Sequence, residues 1–158
     1  MNGTLKIDQT DRKIIKILQS NGKITNARLS EEIGLSPAPT LERVKKLEQY
    51  GLIESYHAQV DMDKIGMGVK TFVTVTLKAH NKATIDAFID KIKNIDEVIE
   101  CHHTTGSGDF LLKIVAKDIA SYQHLMLEKV SEIDVVHSLE SMIILSTYKN
   151  SKVIPFPN

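Results

Sequence analysis

The stretch LSEEIGLSPAPTLERVKKLEQYGLI, residues 29–53, sets the architecture of the N-terminal part of the chain. Its apolar residues recur at helical spacing on both sides of Gly34. Ser36 followed by Pro37 is typical of a helix start, because the missing N–H of proline would have no partner there. Another helical pattern precedes it in residues 8–22. Two short helices joined by a tight turn and packed on a third helix predict a helix-turn-helix domain.

The third helix carries the surface that we predict to contact a partner. Leu41, Val44 and Leu47 form its predicted buried stripe. The outward residues are small in the first turn and basic further on, and a helix that enters the major groove of DNA needs this order. We therefore predict these DNA-binding residues: Asn26, Arg28, Ser36, Pro37, Ala38, Thr40, Arg43 and Lys46. The alternative is a generic three-helix module that binds another protein.

The composition is that of an ordinary soluble globular protein of 158 residues, with 42% hydrophobic and 25% charged residues. No apolar run reaches the roughly 18 residues of a membrane helix, and the N-terminus lacks the apolar core of a signal peptide. The single cysteine excludes an internal disulfide framework. We therefore expect a cytoplasmic protein. Residues 1–57 carry a small positive excess, which permits a nucleic-acid partner without requiring one.

The period of the sequence changes at residues 61–68, where Gly66 and Gly68 interrupt it. Residues 52–60 are predicted to form a short strand that leads out of the helical domain. The strands predicted beyond it span 69–79, 98–105, 109–116 and 135–149, and the helices span 82–95 and 119–133. This βαββαβ order predicts a ferredoxin-like sheet with both helices on one face. The other face would bear Phe72 and Met142, or their alternating neighbours, without cover, so we predict a homodimer.

The second stretch of interest is HHTTGSGDFLLKI, residues 102–114. It is not a phosphate-binding P-loop, because no Gly-Lys-Ser/Thr follows, and it is not a nucleophile elbow, because Thr105 replaces the first glycine of that motif. A plain β-hairpin turn and a ligand-binding turn both fit it. Cys101 and His103 would share one strand face, which is too few ligands for zinc. We expect Cys101 to be a small buried residue rather than a catalytic thiolate.

The chain resembles the leucine-responsive/asparagine-regulator (Lrp/AsnC) transcription factors from about residue 8 to residue 149. The stretch 29–53 resembles their helix-turn-helix, and TTGSGDFLLKI resembles the Gly-x-x-Asp-x-Leu-Leu turn of their effector domain. The chain has Gly108 where this family often has an aromatic residue, and Ser107 where an acid is common. The resemblance implies homodimers that assemble to octamers and bind a small amino acid between dimers. It implies these effector-binding residues: His103, Thr105, Gly106, Ser107, Gly108, Asp109, Ser141 and Met142.

A free amino acid has a carboxylate and an ammonium group on one carbon. The backbone N–H groups of residues 106–108 could bind the carboxylate, and Asp109 could pair with the ammonium. We therefore predict a sequence-specific DNA-binding transcriptional regulator whose assembly and DNA binding respond to a small amino acid. No catalytic activity, metal, cofactor or membrane partner is expected.

The predicted organisation is α+β, with a winged helix-turn-helix domain at residues 1–57, a linker or β-connection at 58–68, and a ferredoxin-like effector-binding and oligomerisation domain at 69–158. The alternative is a stand-alone small-molecule-binding or enzymatic ferredoxin-like protein with a protein-binding helical module. The three N-terminal helices argue against that alternative, since such an enzyme has no use for them.

Overall fold

Three helices build the N-terminal unit of the computed structural model, which describes residues 6–157. They are α1 (Gln9–Ser20), α2 (Asn26–Ile33) and α3 (Pro37–Gln49). Asp8 begins α1 with a capping box shared with Asp11, and the Thr25 hydroxyl accepts a hydrogen bond from the Arg28 amide at the start of α2. Gly34 ends α2 in the left-handed conformation, with φ of 78°. The structure thus confirms the predicted helix-turn-helix order.

The buried face of α3 differs from the predicted stripe. Leu47 is buried as expected, but Leu41 is 42% exposed and Thr40 is fully buried. Thr40 tolerates burial because its hydroxyl donates a hydrogen bond to the Ser36 carbonyl at 2.9 Å. The inward line therefore runs through Thr40, Arg43, Val44 and Leu47, and the prediction that Thr40 faces outward is wrong.

Residues 52–60 form no strand in the structure, contrary to the prediction. The alternating pattern of this segment fits an extended chain, but a strand also needs a hydrogen-bonded neighbour. No segment of residues 6–157 pairs with it. Tyr56 instead donates a hydrogen bond from its hydroxyl to Glu48 on α3 at 2.9 Å.

The C-terminal tail belongs to the helical unit, which consists of the chain up to Gln59 and the chain from Tyr148 onward. Phe156 packs against the core of the three helices, and the Arg12 guanidinium lies 5.4 Å from the centre of its ring. The Gln19 side chain accepts a hydrogen bond from the Ile154 amide at 2.6 Å. The predicted boundary assigned residues 148–158 to the sheet domain and so differs from this grouping. The sequence does not reveal that Phe156 packs against the helices.

The second unit, Val60–Thr147, contains a four-stranded antiparallel sheet in the order β2-β3-β1-β4. The strands are β1 (Val69–Leu77), β2 (Val98–His103), β3 (Phe110–Ala116) and β4 (Val136–Ile143), and the helices are α4 (Lys82–Ile92) and α5 (Ile119–Leu125). The predicted βαββαβ order is confirmed. Residues alternate along β1 between buried and half-buried, and the buried set packs with Phe88 and Ile92 of α4 and Leu125 of α5.

Several elements are shorter than predicted. The predicted helix 119–133 begins after Asp118, whose side chain accepts a hydrogen bond from Ser121, but its α-helical part ends at Leu125. A π-helical turn, Met126–Val130, follows, and Ser131 donates hydrogen bonds to Met126 from its amide and its hydroxyl. Among residues 6–157, every helix is too short or too polar to cross a bilayer.

The face of the sheet opposite its two helices presents Phe72 of β1 directly across from Met142 of β4. Leu111 and Lys113 of β3 lie on the same face. Phe72 is half-buried and Met142 is 48% exposed, so this part of the sheet exposes apolar side chains in the described chain. Of the two alternatives that the sequence left open, the structure thus has Phe72 and Met142 on this face.

Candidate functional site

The exposed surface of α3 starts with small residues and continues with charged ones. Pro37 and Ala38 stand in its first turn, and both are exposed. Lys46 is exposed, as predicted. Two further residues of this surface, Glu42 and Lys45, are exposed but are not among the predicted DNA-binding residues. Glu42 stands about 160° around the helix from Val44, the middle of the predicted stripe, so that stripe already directs it outward, whereas Lys45 stands only about 100° from Val44.

Asn26 and Arg28 of α2 are engaged within the helical unit. The Asn26 amide group donates a hydrogen bond to the Pro37 carbonyl at 2.8 Å, so it ties the start of α2 to the first turn of α3. Arg28 pairs with Glu31 at 3.0 Å and with Glu32 at 3.5 Å on its own helix. Asn26 therefore positions α3, while Arg28 stays on the surface in ion pairs that solvent weakens.

Arg43 lies on the inward side of α3 and joins it to the start of α1. Its Nη1 atom donates to Asp8 Oδ2 at 2.8 Å and to Asp11 Oδ1 at 2.7 Å. The other oxygens of the two carboxylates accept the backbone amides of the capping box. The Asp11 amide and the Arg43 guanidinium hold the pKa of Asp8 below its ordinary value. The predicted outward position of Arg43 is therefore not what the structure shows.

The turn at residues 104–109 connects β2 to β3. Thr104 donates a hydrogen bond from its amide to the Asp109 carbonyl at 2.9 Å and from its hydroxyl to the Gly108 carbonyl at 3.2 Å. Gly106 has a φ of 121°, which a residue with a side chain rarely adopts. Within residues 6–157, the amides of Gly106, Ser107 and Gly108 donate to no protein acceptor. The bare backbone donors that the sequence indicated are present.

Gly108 allows the turn to lie directly against β1. A Cβ atom at this position would overlap the methyl group of Thr74 and would lie 3.3 Å from the Val75 carbonyl oxygen. The Asp109 amide donates to that same carbonyl at 2.8 Å. The approach of the two backbones explains why this chain has glycine, and no larger residue, in the turn.

Both oxygens of the Asp109 carboxylate have partners inside the sheet unit. Oδ2 accepts a hydrogen bond from the Leu77 amide at 2.7 Å, and Oδ1 lies 2.7 Å from His80 Nδ1. The side chain is only 15% exposed. Asp109 thus holds the turn to the end of β1, and the structure does not present it as a free carboxylate for an ammonium group. The sequence carried no signal for His80 as its partner.

Of the remaining predicted effector residues, Ser141 and Met142 lie on β4, and the other three lie in or beside the turn. Thr105 and Ser107 are exposed in it, but His103 lies on the helix side of β2 and stacks on Phe110, with ring centres 4.9 Å apart. Ser141 shares a hydrogen bond with the Tyr122 hydroxyl, while Met142 points to the opposite sheet face. Strand β1 separates these two residues from the β2–β3 turn.

Cys101 and His103 share a face, and His102 points to the other, as predicted. Cys101 and His103 line a pocket of about 260 Å³ beside α4, together with Ile89, Ile92, Lys93 and Phe110. Cys101 is exposed, so the expectation of a buried residue is wrong. Desolvation raises the pKa of its thiol, which disfavours a thiolate nucleophile. In the described part of the chain, no three His, Cys, Asp or Glu side chains converge as metal ligands would.

Comparison with known proteins agrees with this arrangement in both units. Residues 70–154 match the Lrp/AsnC ligand binding domain, and residues 7–54 match a winged helix-turn-helix DNA-binding domain. The chain is 35% identical over 151 residues to the transcriptional regulator AzlB of Bacillus subtilis, covering 96% of each chain. It is 32% identical to the leucine-responsive regulatory protein of Escherichia coli K12, covering 92% of this chain and 88% of that protein.

Solved structures extend the similarity to three dimensions. A transcriptional regulator of Neisseria meningitidis, crystallised in complex with L-Met, superimposes with a TM-score of 0.91 at 31% identity, covering 95% of this chain and 97% of the other. Escherichia coli AsnC superimposes with a TM-score of 0.84 at 29% identity, covering 94% and 100% of the two chains. The chain therefore belongs to the Lrp/AsnC family of transcriptional regulators.

Proposed function

We propose that this protein is a sequence-specific DNA-binding transcriptional regulator whose assembly and DNA binding respond to a small amino acid. The observation that carries the DNA-binding part is the exposed face of α3, where small first-turn residues precede Lys45 and Lys46. Its relatives are regulators rather than enzymes. The helix-turn-helix match disfavours the alternative of a stand-alone sensor or enzyme.

Lys45 and Lys46 are proposed to contact phosphates, because each ammonium group is exposed and neither forms an ion pair with another described residue. Replacing Lys46 by alanine should weaken binding about equally for all sequences and reduce the slope of log K against log salt by about 0.9. Electrophoretic mobility shifts with the protein's own upstream region and with unrelated DNA, over a salt series, measure both quantities. Lys82→Ala makes the same charge change in the sheet unit and should leave the slope unaltered. An unchanged slope for Lys46→Ala would remove this residue from the interface.

The amino-acid part rests on the unbonded amides of Gly106, Ser107 and Gly108, which suit the carboxylate of the ligand. Because Asp109 is engaged by Leu77 and His80, we propose that it holds these amides in place and that an acceptor outside the turn meets the ammonium group. The L-Met complex of the Neisseria relative supports an amino acid as the ligand class.

Asp109→Ala should lower the free energy of unfolding of the sheet unit by about 1–3 kcal/mol, because the buried Leu77 amide loses its acceptor. It should also remove the response to amino acids. Asp109→Asn keeps an acceptor oxygen for Leu77 and should retain most of the stability. Urea denaturation and thermal shifts with each of the twenty amino acids measure these effects. If Asp109→Ala is as stable as the wild type and no longer binds, Asp109 contacts the ligand directly and our assignment is wrong.

We further propose that the protein is a homodimer that assembles to an octamer. Phe72, Leu111 and Met142 form an apolar patch on the sheet face opposite α4 and α5, and a second copy would cover it. A ligand bound between dimers would then alter DNA binding only if its affinity differs between assembly states. Sedimentation with and without the amino acid measures whether the ligand shifts the assembly state, which it does only if its affinities differ.

A further inference from the structure

Glu42 occupies the outward side of α3, almost opposite its buried line. Successive residues of an α-helix are about 100° apart, so Glu42 stands about 200° from Thr40, which is fully buried. Ala38, Lys45 and Gln49 lie on the same side as Glu42, and all three are exposed. Ala38, one turn before Glu42, is small and leaves room for the Glu42 side chain to reach the floor of the DNA major groove.

The rotation of α3 about its own axis is held by polar contacts as well as by packing. Arg43, the next residue, is bonded to Asp8 and Asp11 at the start of α1. The Pro37 carbonyl in the first turn is bonded to Asn26. The charge-assisted bonds of Arg43 and the hydrogen bond from the Asn26 side chain to Pro37, six residues apart along α3, fix which side faces outward. Glu42 is thus presented in a defined orientation.

The Glu42 carboxylate is unusual on a face that would meet a polyanion. Lys45 and Lys46 are three and four residues further along α3, yet neither forms an ion pair with Glu42 in the described chain. A carboxylate can only accept hydrogen bonds, and DNA phosphates repel it. In the major groove, cytosine offers its N4 amino group next to a carbon edge, whereas adenine places the N7 acceptor beside its amino group, and guanine and thymine offer only acceptors and a methyl group.

We propose that Glu42 is a specificity-determining residue that accepts a hydrogen bond from cytosine N4 at one position of each half-site and disfavours the other bases there. This inference rests on the proposed DNA-binding function, in which α3 enters the major groove. The carboxylate also lowers affinity for DNA that lacks cytosine at that position, because it then faces at least one acceptor of guanine or adenine, or the acceptor and methyl group of thymine.

The test is selection from a randomised DNA library by the full-length wild type, Glu42→Gln and Glu42→Ala, followed by affinity measurements on single-base variants. The wild type should require cytosine at one position, and other bases there should weaken binding by about 10- to 100-fold. Glutamine, which pairs with adenine N6 and N7, should move the preference to adenine. Alanine should abolish the preference and should bind unrelated DNA at least as tightly as the wild type.

Glu132→Gln makes the same charge change on an exposed residue of the sheet unit and should leave every preference intact. Thermal melting of each variant verifies the fold. Wild-type preferences retained at every position by both Glu42 variants would overturn the proposal, and so would an affected position at which the wild type prefers a base other than cytosine. If the wild type enriches no sequence, the sequence-specific DNA-binding function on which the inference rests is refuted.

Discussion

Replacing Phe110 by alanine is expected to lower the free energy of unfolding of the sheet unit by about 3–5 kcal/mol. Phe110 is 1% exposed, and its ring centre lies 4.7 Å from that of Phe88 on α4 and 4.9 Å from that of His103 on β2. Truncation would remove the contact that joins three elements and leave a cavity in the core. Because Phe110 begins β3 directly after the turn, the amino-acid response should disappear as well.

Urea denaturation followed by circular dichroism measures the change in stability, and thermal shifts with amino acids measure the response. Leu127→Ala also truncates a large apolar side chain of the sheet unit, but Leu127 is 68% exposed, so this control should change stability by no more than about 0.5 kcal/mol. Equal losses in the two variants would contradict the placement of Phe110 in the core.

Gly108→Ala is expected to destabilise the sheet unit by about 1–3 kcal/mol and to abolish amino-acid binding. The added methyl group would overlap the Thr74 methyl and press on the Val75 carbonyl, so the turn would have to move away from β1. Such a movement would break the hydrogen bond between the Asp109 amide and Val75 and displace the amides of residues 106–108.

The cause of this effect can be isolated, because Thr74→Ser removes the overlapping methyl group. The double variant should recover part of the lost stability and of the binding, which gives a measurable coupling between positions 74 and 108. Gly106→Ala is the matched control: its cost comes from the positive φ, since no atom lies within 4 Å of the added Cβ, so Thr74→Ser should not rescue it. Absence of coupling between Gly108→Ala and Thr74→Ser would contradict the proposed contact.

Local sequence patterns predicted much of the architecture. Helical spacing, the Pro37 start and the Gly34 stop predicted the three N-terminal helices, because capping and amphipathic periods depend on residues within one or two turns. Alternation along residues 69–79 predicted β1, which the structure has at Val69–Leu77, for the same reason. The Gly106-Ser107-Gly108 motif also predicted a turn between β2 and β3, since glycine-rich sequences favour turns locally.

The absence of a strand at residues 52–60 and the packing partner of the C-terminal tail could not be predicted in this way. An alternating segment becomes a strand only when another strand offers its hydrogen bonds, and residues 6–157 offer none to this segment. Phe156 packs against the core of the three helices, the first of which begins almost 150 residues earlier in the chain. Neither the missing strand partner nor the packing of Phe156 is indicated by the neighbouring sequence.

The roles of the charged and polar site residues were likewise set by the tertiary structure. Arg43 and Asp109 look like free surface groups in the sequence, yet one is held by Asp8 and Asp11 and the other by Leu77 and His80. A polar group can be buried only where a distant part of the chain supplies its hydrogen-bond partner. The sequence by itself determined the two-domain architecture, the glycine turn and the family. Only the folded chain determined which way α3 is rotated, and hence that Thr40 and Arg43 lie on its inner side while Lys45 stands on its outward face.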